Sequence, residues 1–523
     1  MSESGQAFQR AIALHQRGQL EQAELLYQDL LGSQPGHFGA AHLLGLVFLQ
    51  RGQAELAERQ LSHAIALKPD VAEAHGNHGN AMKALRRLEE ALASYDRALA
   101  LKPDFADVLV NRGWVLQDLK QPEAALDSYR RALVIRPQSP IGHYHSGLVL
   151  HELARFDEAV ASYEAALALQ PENAQIFFSL GNALGELRRM DDALASFDRA
   201  IALSPGFAEA YRNRGILKLL TGNFRDGLTD YEHRRPKDQA RRMLPTLNAA
   251  YWSGENLAGR SILVSDATGM GDAIQLCRYL PLLADRGARV GFLGNRKLFR
   301  LFAGLDPRVR LITALDDSEH FDYQCKLLSL PYLFNTELET IPHAVPYLHA
   351  ETELREKWRA RLGDQGFRIG ICWKGNPTRT IDAGRSIPLA GFAQISQLPG
   401  VRLISLQKRF GLDELDALPG PMRVETLGAD FDEGDDAFVD SAAVIANLDL
   451  VISSCTSLPH LAGAIGRPTW VALKHVPEWR WLLDRADSPW YPTMRLFRQP
   501  RRGQWEPVFK AMTLELESIL ARR

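Results

Sequence analysis

At 523 residues, with 46% apolar and 24% charged side chains, the chain has the composition of a soluble globular protein with at least two domains. A formal charge of −2 gives no electrostatic footprint for nucleic acid, and no run approaches the roughly 18 apolar residues needed to span a bilayer. Cys277, Cys325, Cys372 and Cys455 are scattered rather than spaced as a metal site, and the polar start MSESGQAFQR lacks a basic, apolar leader, so no metal and a reducing cytoplasm are expected.

From the start of the chain, prolines recur at Pro35, Pro69, Pro103, Pro137, Pro171 and Pro205, each step being 34 residues. Glycines keep the same step at Gly45, Gly79, Gly113, Gly147, Gly181 and Gly215. Small residues stand at Ala57, Ala91, Ala125, Ala159 and Ala193, and the last four are each followed by an aromatic, at Tyr95, Tyr129, Tyr163 and Phe197. A second small series runs through Ala64, Ala98, Ala132, Ala166 and Ala200. Such a register lets two antiparallel helices approach closely, with the aromatic expected to fill the gap between repeats and proline to close the second helix. The pattern resembles the tetratricopeptide repeat, which implies an all-α superhelical array of about seven copies over residues 1–240. The first copy has Ala11 in place of glycine, and the last has Gly227 and Arg234 at small-residue sites, as capping copies often do.

Residues 241–257 then read as a linker, in a junction that holds Pro236, Pro245 and Gly254. Short β-branched runs alternate with helical stretches beyond it, predicting strands at 261–265, 288–293 and 308–312, and a second series at 368–373, 401–406, 423–426, 448–453 and 469–473. Two series of strand-helix units imply two parallel sheets, residues 258–350 and 367–523, with a connecting helix in 351–366 and a closing helix over 505–520. Facing α/β halves leave a cleft at the carboxyl ends of their strands, where such sheets bind ligands.

Four segments bear on the ligand. GMGDAIQ follows the strand ILVS, so Gly269 and Gly271 form a turn and Asp272 opens a helix, where its carboxylate equally suits the helix dipole. The segment lacks the ending of a P-loop, and Ile274 replaces the third glycine of a dinucleotide fingerprint. In GICWKGNPTRT a strand gives way to Lys374, Gly375 and Asn376, with Arg379 and Arg385 nearby, a set that suits a diphosphate. In DLVISSCTSLPHLAGAIG a buried strand meets a hydroxyl-rich turn and a helix, either an anion site or ordinary capping by Thr456 or Ser457. The fourth is aromatic and basic, with Trp479, Arg480, Trp481, Trp490 and Tyr491.

Together these segments resemble the two-Rossmann (GT-B) glycosyltransferases, closest to the ADP-heptose:lipopolysaccharide heptosyltransferase family and to bacterial proteins joining such a module to tetratricopeptide repeats. The resemblance implies an inverting, metal-independent enzyme with a nucleotide-sugar as substrate and no cofactor. It implies Asp272 as catalytic base, Lys374 as phosphate ligand, and Thr456, Ser457 and His460 as donor contacts. Asn376, Arg385 and Gln407 are further donor-side candidates, with Lys408 beside them. The chain departs from the family at Cys455, where an aspartate is expected, and at Asp266, Ala267 and Thr268, where repeat-linked relatives have Glu-Gln-Gly. The acidic stretch 432–436 reads as a solvated loop.

Two residues before the signature glycines stand Asn77, Asn111, His145, Ser179 and Asn213, a partial series resembling the asparagine ladder of O-GlcNAc transferase repeats. Amides there can pair with an extended peptide backbone, or simply suit a solvated helix face. The histidine pairs His75 with His78 and His143 with His145 lack an acidic or cysteine partner and read as solvated groove residues rather than metal ligands. The expected activity is transfer of a sugar to a Ser/Thr hydroxyl of a protein docked by the array, flagellin-like by analogy with bacterial relatives. An inactive GT-B scaffold and a glycan- or lipopolysaccharide-building enzyme are the alternatives.

Overall fold

The computed structural model describes residues 3–234, 249–266, 268–316, 319–377 and 384–523. Pro236, Pro245, Ala267 and Arg379 lie outside the described residues. The chain divides into two compact units, Met1–Gly206 and Phe207–Arg523, and each is built differently.

The first unit consists of antiparallel helix pairs, from Glu3–Gln16 with Leu20–Ser33 to Ala174–Glu186 with Met190–Leu203. Each second helix stops two residues before its proline, at Ser33, Leu67, Leu101, Ile135, Leu169 and Leu203. The signature aromatic packs on the glycine of its own pair and also reaches the next repeat, as where Tyr129 stacks on His145 at 5.8 Å. A Cβ at Gly79 would meet the Tyr95 ring at 2.5 Å, and Gly113 with Tyr129, Gly147 with Tyr163 and Gly181 with Phe197 repeat the arrangement. Glycine is needed because the ring occupies the space of a methyl group.

The turn inside each pair imposes a second constraint. Residues 18, 52, 86, 120, 154, 188 and 222 all have positive φ, and only Gly18, Gly52 and Gly222 are glycine. Arg86, Lys120, Ala154 and Arg188 hold the left-handed conformation at φ 61, 59, 57 and 60°, where their Cβ atoms crowd the carbonyl. Ala154→Gly is therefore expected to stabilise the protein by about 1 kcal/mol, read as a higher unfolding midpoint in urea; an unchanged or lower midpoint would contradict the strain argument.

The second unit begins with the seventh helix pair, Ala208–Leu220 and Phe224–Tyr231. Its second helix has 8 residues against 14 in the pairs before it. Gly227 is a packing requirement here rather than decay. A Cβ on Gly215 would lie 2.7 Å from Tyr231 N and 2.8 Å from Gly227 O, so the two backbones touch. Arg234, at the other expected small site, stacks 4.6 Å from the Tyr231 ring and donates to Ser329 Oγ at 3.1 Å.

Two five-stranded sheets follow. The first comprises β1 (Ala250–Tyr251), β2 (Ser261–Ser265), β3 (Arg289–Leu293), β4 (Val309–Ile312) and β5 (Tyr323–Lys326), in the order β1-β5-β2-β3-β4. The second comprises β6 (Phe367–Cys372), β7 (Val401–Ser405), β8 (Leu450–Ser454), β9 (Thr469–Leu473) and β10 (Met494–Arg498), in the order β10-β9-β8-β6-β7. Every named pairing is parallel. The segment 423–426 makes an isolated bridge, Ile404 to Glu425, instead of the expected strand. β1, β5 and β10 escaped prediction because they are short or carry charges: β10 reads MRLFR, with Arg498 turned to the Trp481 carbonyl at 2.6 Å. The connecting helix is Thr352–Leu362, whose buried Trp358 donates to Asp440 Oδ1 at 2.6 Å, and the closing helix Glu506–Leu520 covers the second sheet with Phe509, Met512 and Leu516.

Candidate functional site

β2 in the first sheet, where β1 is an edge strand, and β6 in the second lie inside, with connections departing to opposite sides, so each sheet has a switch point: between β2 and β5, and between β6 and β8. Such crevices, at the carboxyl ends of parallel strands, are where open α/β sheets leave room for ligands. A cavity of about 500 Å³ opens there, lined from β6 by Cys372, Lys374 and Asn376, from β7 by Gln407, and from β8 by Thr456 and Ser457. Met270 of the glycine turn after β2 lines it too. That size is within the range of sites for drug-sized ligands. Phe410 and Phe438 supply aromatic wall, and Lys297, Lys408 and Arg409 add cations against Asp435 and Asp436.

The two glycine-and-hydroxyl turns meet directly. A Cβ on Gly271 would lie 3.2 Å from His460 Cδ2 and 3.3 Å from both Ser457 Cα and Ser457 Oγ, so the start of helix Met270–Leu276 rests on the start of helix Ser457–Ala464. Gly269 caps the first helix with extended backbone and has only Asp272 Oδ2 near its Cβ position, at 3.5 Å. Thr456 caps the second, its hydroxyl accepting from Leu458 N at 3.4 Å. Anion binding at this helix start is favoured by its dipole and unsatisfied N–H groups.

Asp272 lies outside the cavity lining and is held by Arg480, whose Nη2 donates to Oδ1 at 2.6 Å. The Arg480 side chain is 4% exposed and that of Asp272 32%. Arg480 also pairs with Gln275 and Glu478 and stacks 4.6 Å from the Trp479 ring. A second carboxylate stands near: Asp266 accepts from Thr268 N at 2.9 Å and Thr268 Oγ1 at 2.6 Å, and burial, with the Asp272 charge adding to it, raises its pKa. Neither Arg480 nor Asp266 was among the predicted site residues.

The donor-side candidates separate into different roles. Gln407 is a bracket rather than an open contact: its Oε1 accepts from Trp373 N and Lys374 N, both at 3.1 Å, and its Nε2 donates to Lys374 O at 2.8 Å. It thereby fixes the loop bearing Lys374, whose Nζ lies 2.9 Å from Glu414 Oε1. Asn376 lines the cavity; Arg385 lies outside its lining, close enough for its charge to favour the thiolates of Cys372 and Cys455. Lys408 is tied to the Phe431 carbonyl.

His460 is buried, meets the Tyr491 hydroxyl at 3.0 Å and stacks on Trp481 at 5.2 Å. Burial, with Arg480 and Arg278 nearby, holds its imidazole well below the usual histidine range, so it is neutral where it seals the contact with Gly271. Cys455 receives Trp481 Nε1 on its sulfur at 3.0 Å, and burial pushes the thiol up, which removes the conditions for a reactive thiolate. The stretch 432–436 is not wholly solvated: half-buried Asp432 accepts from Asp440 N at 2.9 Å and Ser441 N at 3.2 Å, capping helix Val439–Ile445. The residue before that helix, Phe438, is left-handed at φ 65°, a strained conformation at the cavity wall. Among the described residues no group of histidine, cysteine and carboxylate side chains could hold a metal ion.

In the array, the ladder residues are already engaged. Asn77 Nδ2 meets His42 Nε2 at 2.9 Å; Asn111 donates to Asn80 Oδ1 at 3.0 Å and accepts from Lys83 Nζ at 2.9 Å. His145 packs among Trp114, Tyr129 and Tyr144, and burial lowers its pKa to about 4. Asn213, in the second unit, accepts from Arg212 Nε at 3.2 Å. Among the described residues no helix is long and apolar enough to cross a membrane.

A tetratricopeptide repeat family model matches residues 8–72, 77–140, 146–208 and 178–232. Protein FlbA of Caulobacter vibrioides is 26% identical over 338 residues, covering 59% of this chain and 55% of FlbA. The chain thus spans about half the length of that curated relative. Among solved structures, YrrB, described as a TPR protein with an unusual peptide-binding site, is 21% identical with a TM-score of 0.34, over 36% of this chain and 97% of YrrB. The Pseudomonas aeruginosa pilF structure is 22% identical with a TM-score of 0.37, over 40% of this chain and 96% of its own. The N-terminal region is therefore a set of tetratricopeptide repeats, a protein-interaction module, and the region after it is α/β with parallel sheets.

Proposed function

We propose that the α/β region is a GT-B-type glycosyltransferase, moving a sugar from a nucleotide donor to a protein Ser/Thr hydroxyl, with the repeats docking the acceptor. The observation that carries this reading is the cavity at the β6/β8 switch point, with Lys374 and the Ser457 helix start on one side and the glycine turn bearing Asp272 on the other. A diphosphate bound there is neutralised by Lys374, the helix N-terminus and the Thr456 hydroxyl without a metal. Asp272 takes the acceptor hydroxyl's proton as that oxygen bonds to the anomeric carbon, while the bond from carbon to the diphosphate oxygen breaks and its electrons leave with the nucleotide. Phe410 and Phe438 offer faces on which a nucleobase stacks.

A scaffold without turnover is the second reading, favoured by Cys455, whose sulfur is capped by Trp481 where related enzymes carry an aspartate. The test is thermal shift against millimolar UDP, GDP, ADP, dTDP and CMP. One nucleotide is expected to raise the melting point, and Lys374→Ala to weaken its binding. Glu414→Gln removes the carboxylate that competes for Lys374 and is expected to tighten binding by about fivefold, since a partly exposed pair is worth up to about 1 kcal/mol. Silence across the panel, or indifference to both substitutions, would favour the scaffold.

A further inference from the structure

Among the described residues the candidate base has one strong side-chain anchor, Arg480, and that anchor is itself clamped by the seventh helix pair. Phe224 opens helix Phe224–Tyr231, is 2% exposed, and lies 6.1 Å from the Trp479 ring and 6.3 Å from Trp490. Tyr231, at the other end of the helix, lies 6.3 Å from Trp479, and Trp479 and Trp490 contact edge to face at 6.0 Å. Trp479 is next to Arg480 in one short turn, Trp479–Trp481, and its indole lies under the guanidinium at 4.6 Å. The guanidinium then divides between Asp272, Gln275 and Glu478.

Each link is a packed or charge-assisted contact with little room to relax. Trp479 and Arg480 are 4% and 3% exposed, and Trp490 is fully buried. A guanidinium gripped on several edges cannot turn without giving up one of those bonds, so the Trp479 ring's position fixes the Asp272 carboxylate. The Gly215–Gly227 backbone contact makes the hairpin behind Trp479 stiff, which explains why the last copy abandons the alanine found earlier in the array.

We propose that the seventh helix pair is a positioning element of the α/β site, acting through Phe224, Trp479 and Arg480 to orient the Asp272 carboxylate. Arg480 is its positioning residue, and a partner that shifts this hairpin alters turnover without touching the donor. The kinetic consequence rests on the glycosyl-transfer reading; the mechanical linkage does not.

Two measurements on the full-length protein keep these apart. Hydrogen exchange on the free protein needs no donor: Phe224→Leu is expected to accelerate exchange of backbone amides 273–276 by about tenfold, together with those of 224–231, because the anchor of their helix is loosened. Acceleration confined to 224–231 would overturn the linkage. Where wild type turns over a nucleotide-sugar, Arg480→Lys, which keeps the charge but loses the fork, and Trp479→Leu are expected to lower kcat by about tenfold with donor KM unchanged, and Trp479→Phe to restore most of it. Equal loss in kcat and donor affinity, or a fully active Arg480→Lys, would reduce Arg480 to a structural ion pair. Absence of wild-type turnover with every donor counts against the glycosyltransferase reading, and the exchange result still decides the linkage.

Discussion

Asp272→Asn is expected to lower sugar transfer by about 10²- to 10⁴-fold, the usual contribution of a positioned general base, while nucleotide binding stays at its wild-type level. The separation follows from geometry. Asp272 lies outside the lining of the cavity that holds Lys374, Thr456 and Ser457, so its charge can be removed without disturbing the proposed diphosphate contacts. Asparagine keeps the shape and can still accept from Arg480, which retains Glu478 and Gln275 as partners. Unfolding midpoints within a degree or two of wild type would show that the loss is chemical. Full transfer by the variant would remove Asp272 as base and turn attention to Asp266, the second carboxylate near the glycine turn. Loss of nucleotide binding together with transfer would mean that the carboxylate organises the site rather than acting in it.

Asp230→Ala is expected to cost roughly 1.5–3 kcal/mol of stability, the usual worth of charge-assisted hydrogen bonds. Asp230 is 5% exposed and accepts from Arg214 Nε and Nη2, both at 2.7 Å, and from Lys218 Nζ at 2.8 Å, so its removal takes the shared carboxylate from beside two partly exposed cations of the seventh helix pair. The acid limb carries the sign. Burial raises the Asp230 pKa, but hydrogen bonds and charge from Arg214 and Lys218 outweigh it and the net shift is downward. A depressed pKa stabilises the folded state fully above the unfolded carboxylate value of about 3.9, and that contribution fades as pH falls through the lower folded value. Wild type is therefore expected to lose part of its margin over the variant below about pH 4 and to keep it at neutral pH. A pH-independent difference in unfolding midpoint would show that the cost of the substitution lies in packing rather than charge. Because this cluster stiffens the hairpin behind Trp479, the variant should also accelerate amide exchange in helix Phe224–Tyr231.

The readable and unreadable parts of the molecule divide by the range of the interactions that make them. The 34-residue period was legible because each helix pair packs mainly on itself and its neighbours, so every copy must solve the same local problem. The strands at Ser261–Ser265 and Thr469–Leu473 were legible for a similar reason, since parallel strands buried on both faces are continuous apolar runs. The glycine turn before Asp272 and the hydroxyl turn at Thr456 were also visible as motifs, Thr456 because it caps its own helix, although what requires glycine at Gly271 is the distant contact with Ser457 and His460.

Tertiary structure alone decided the rest. Arg480 reaches Asp272 across 208 positions of sequence, and no local pattern encodes a partner at that distance. Gln407 reads as a polar strand end open to ligand, yet the loop 373–374 folds onto it and consumes both ends of its amide. Asn77 and Asn111 keep the spacing of a ladder, but His42 for the first, and Asn80 and Lys83 for the second, each on the first helix of the preceding repeat, already pair with their amides. Arg86, Lys120, Ala154 and Arg188 hide a left-handed turn that their side chains disfavour, because the helices on either side overrule the local preference. Sequence by itself determined the repeat array, the two parallel sheets and the turns that face the cavity, since these depend on periodicity and local backbone chemistry. Which side chains remain available to a ligand, and which are held by one another, was decided only when folding brought distant polar groups together, because a buried polar atom takes whatever partner lies within hydrogen-bonding distance.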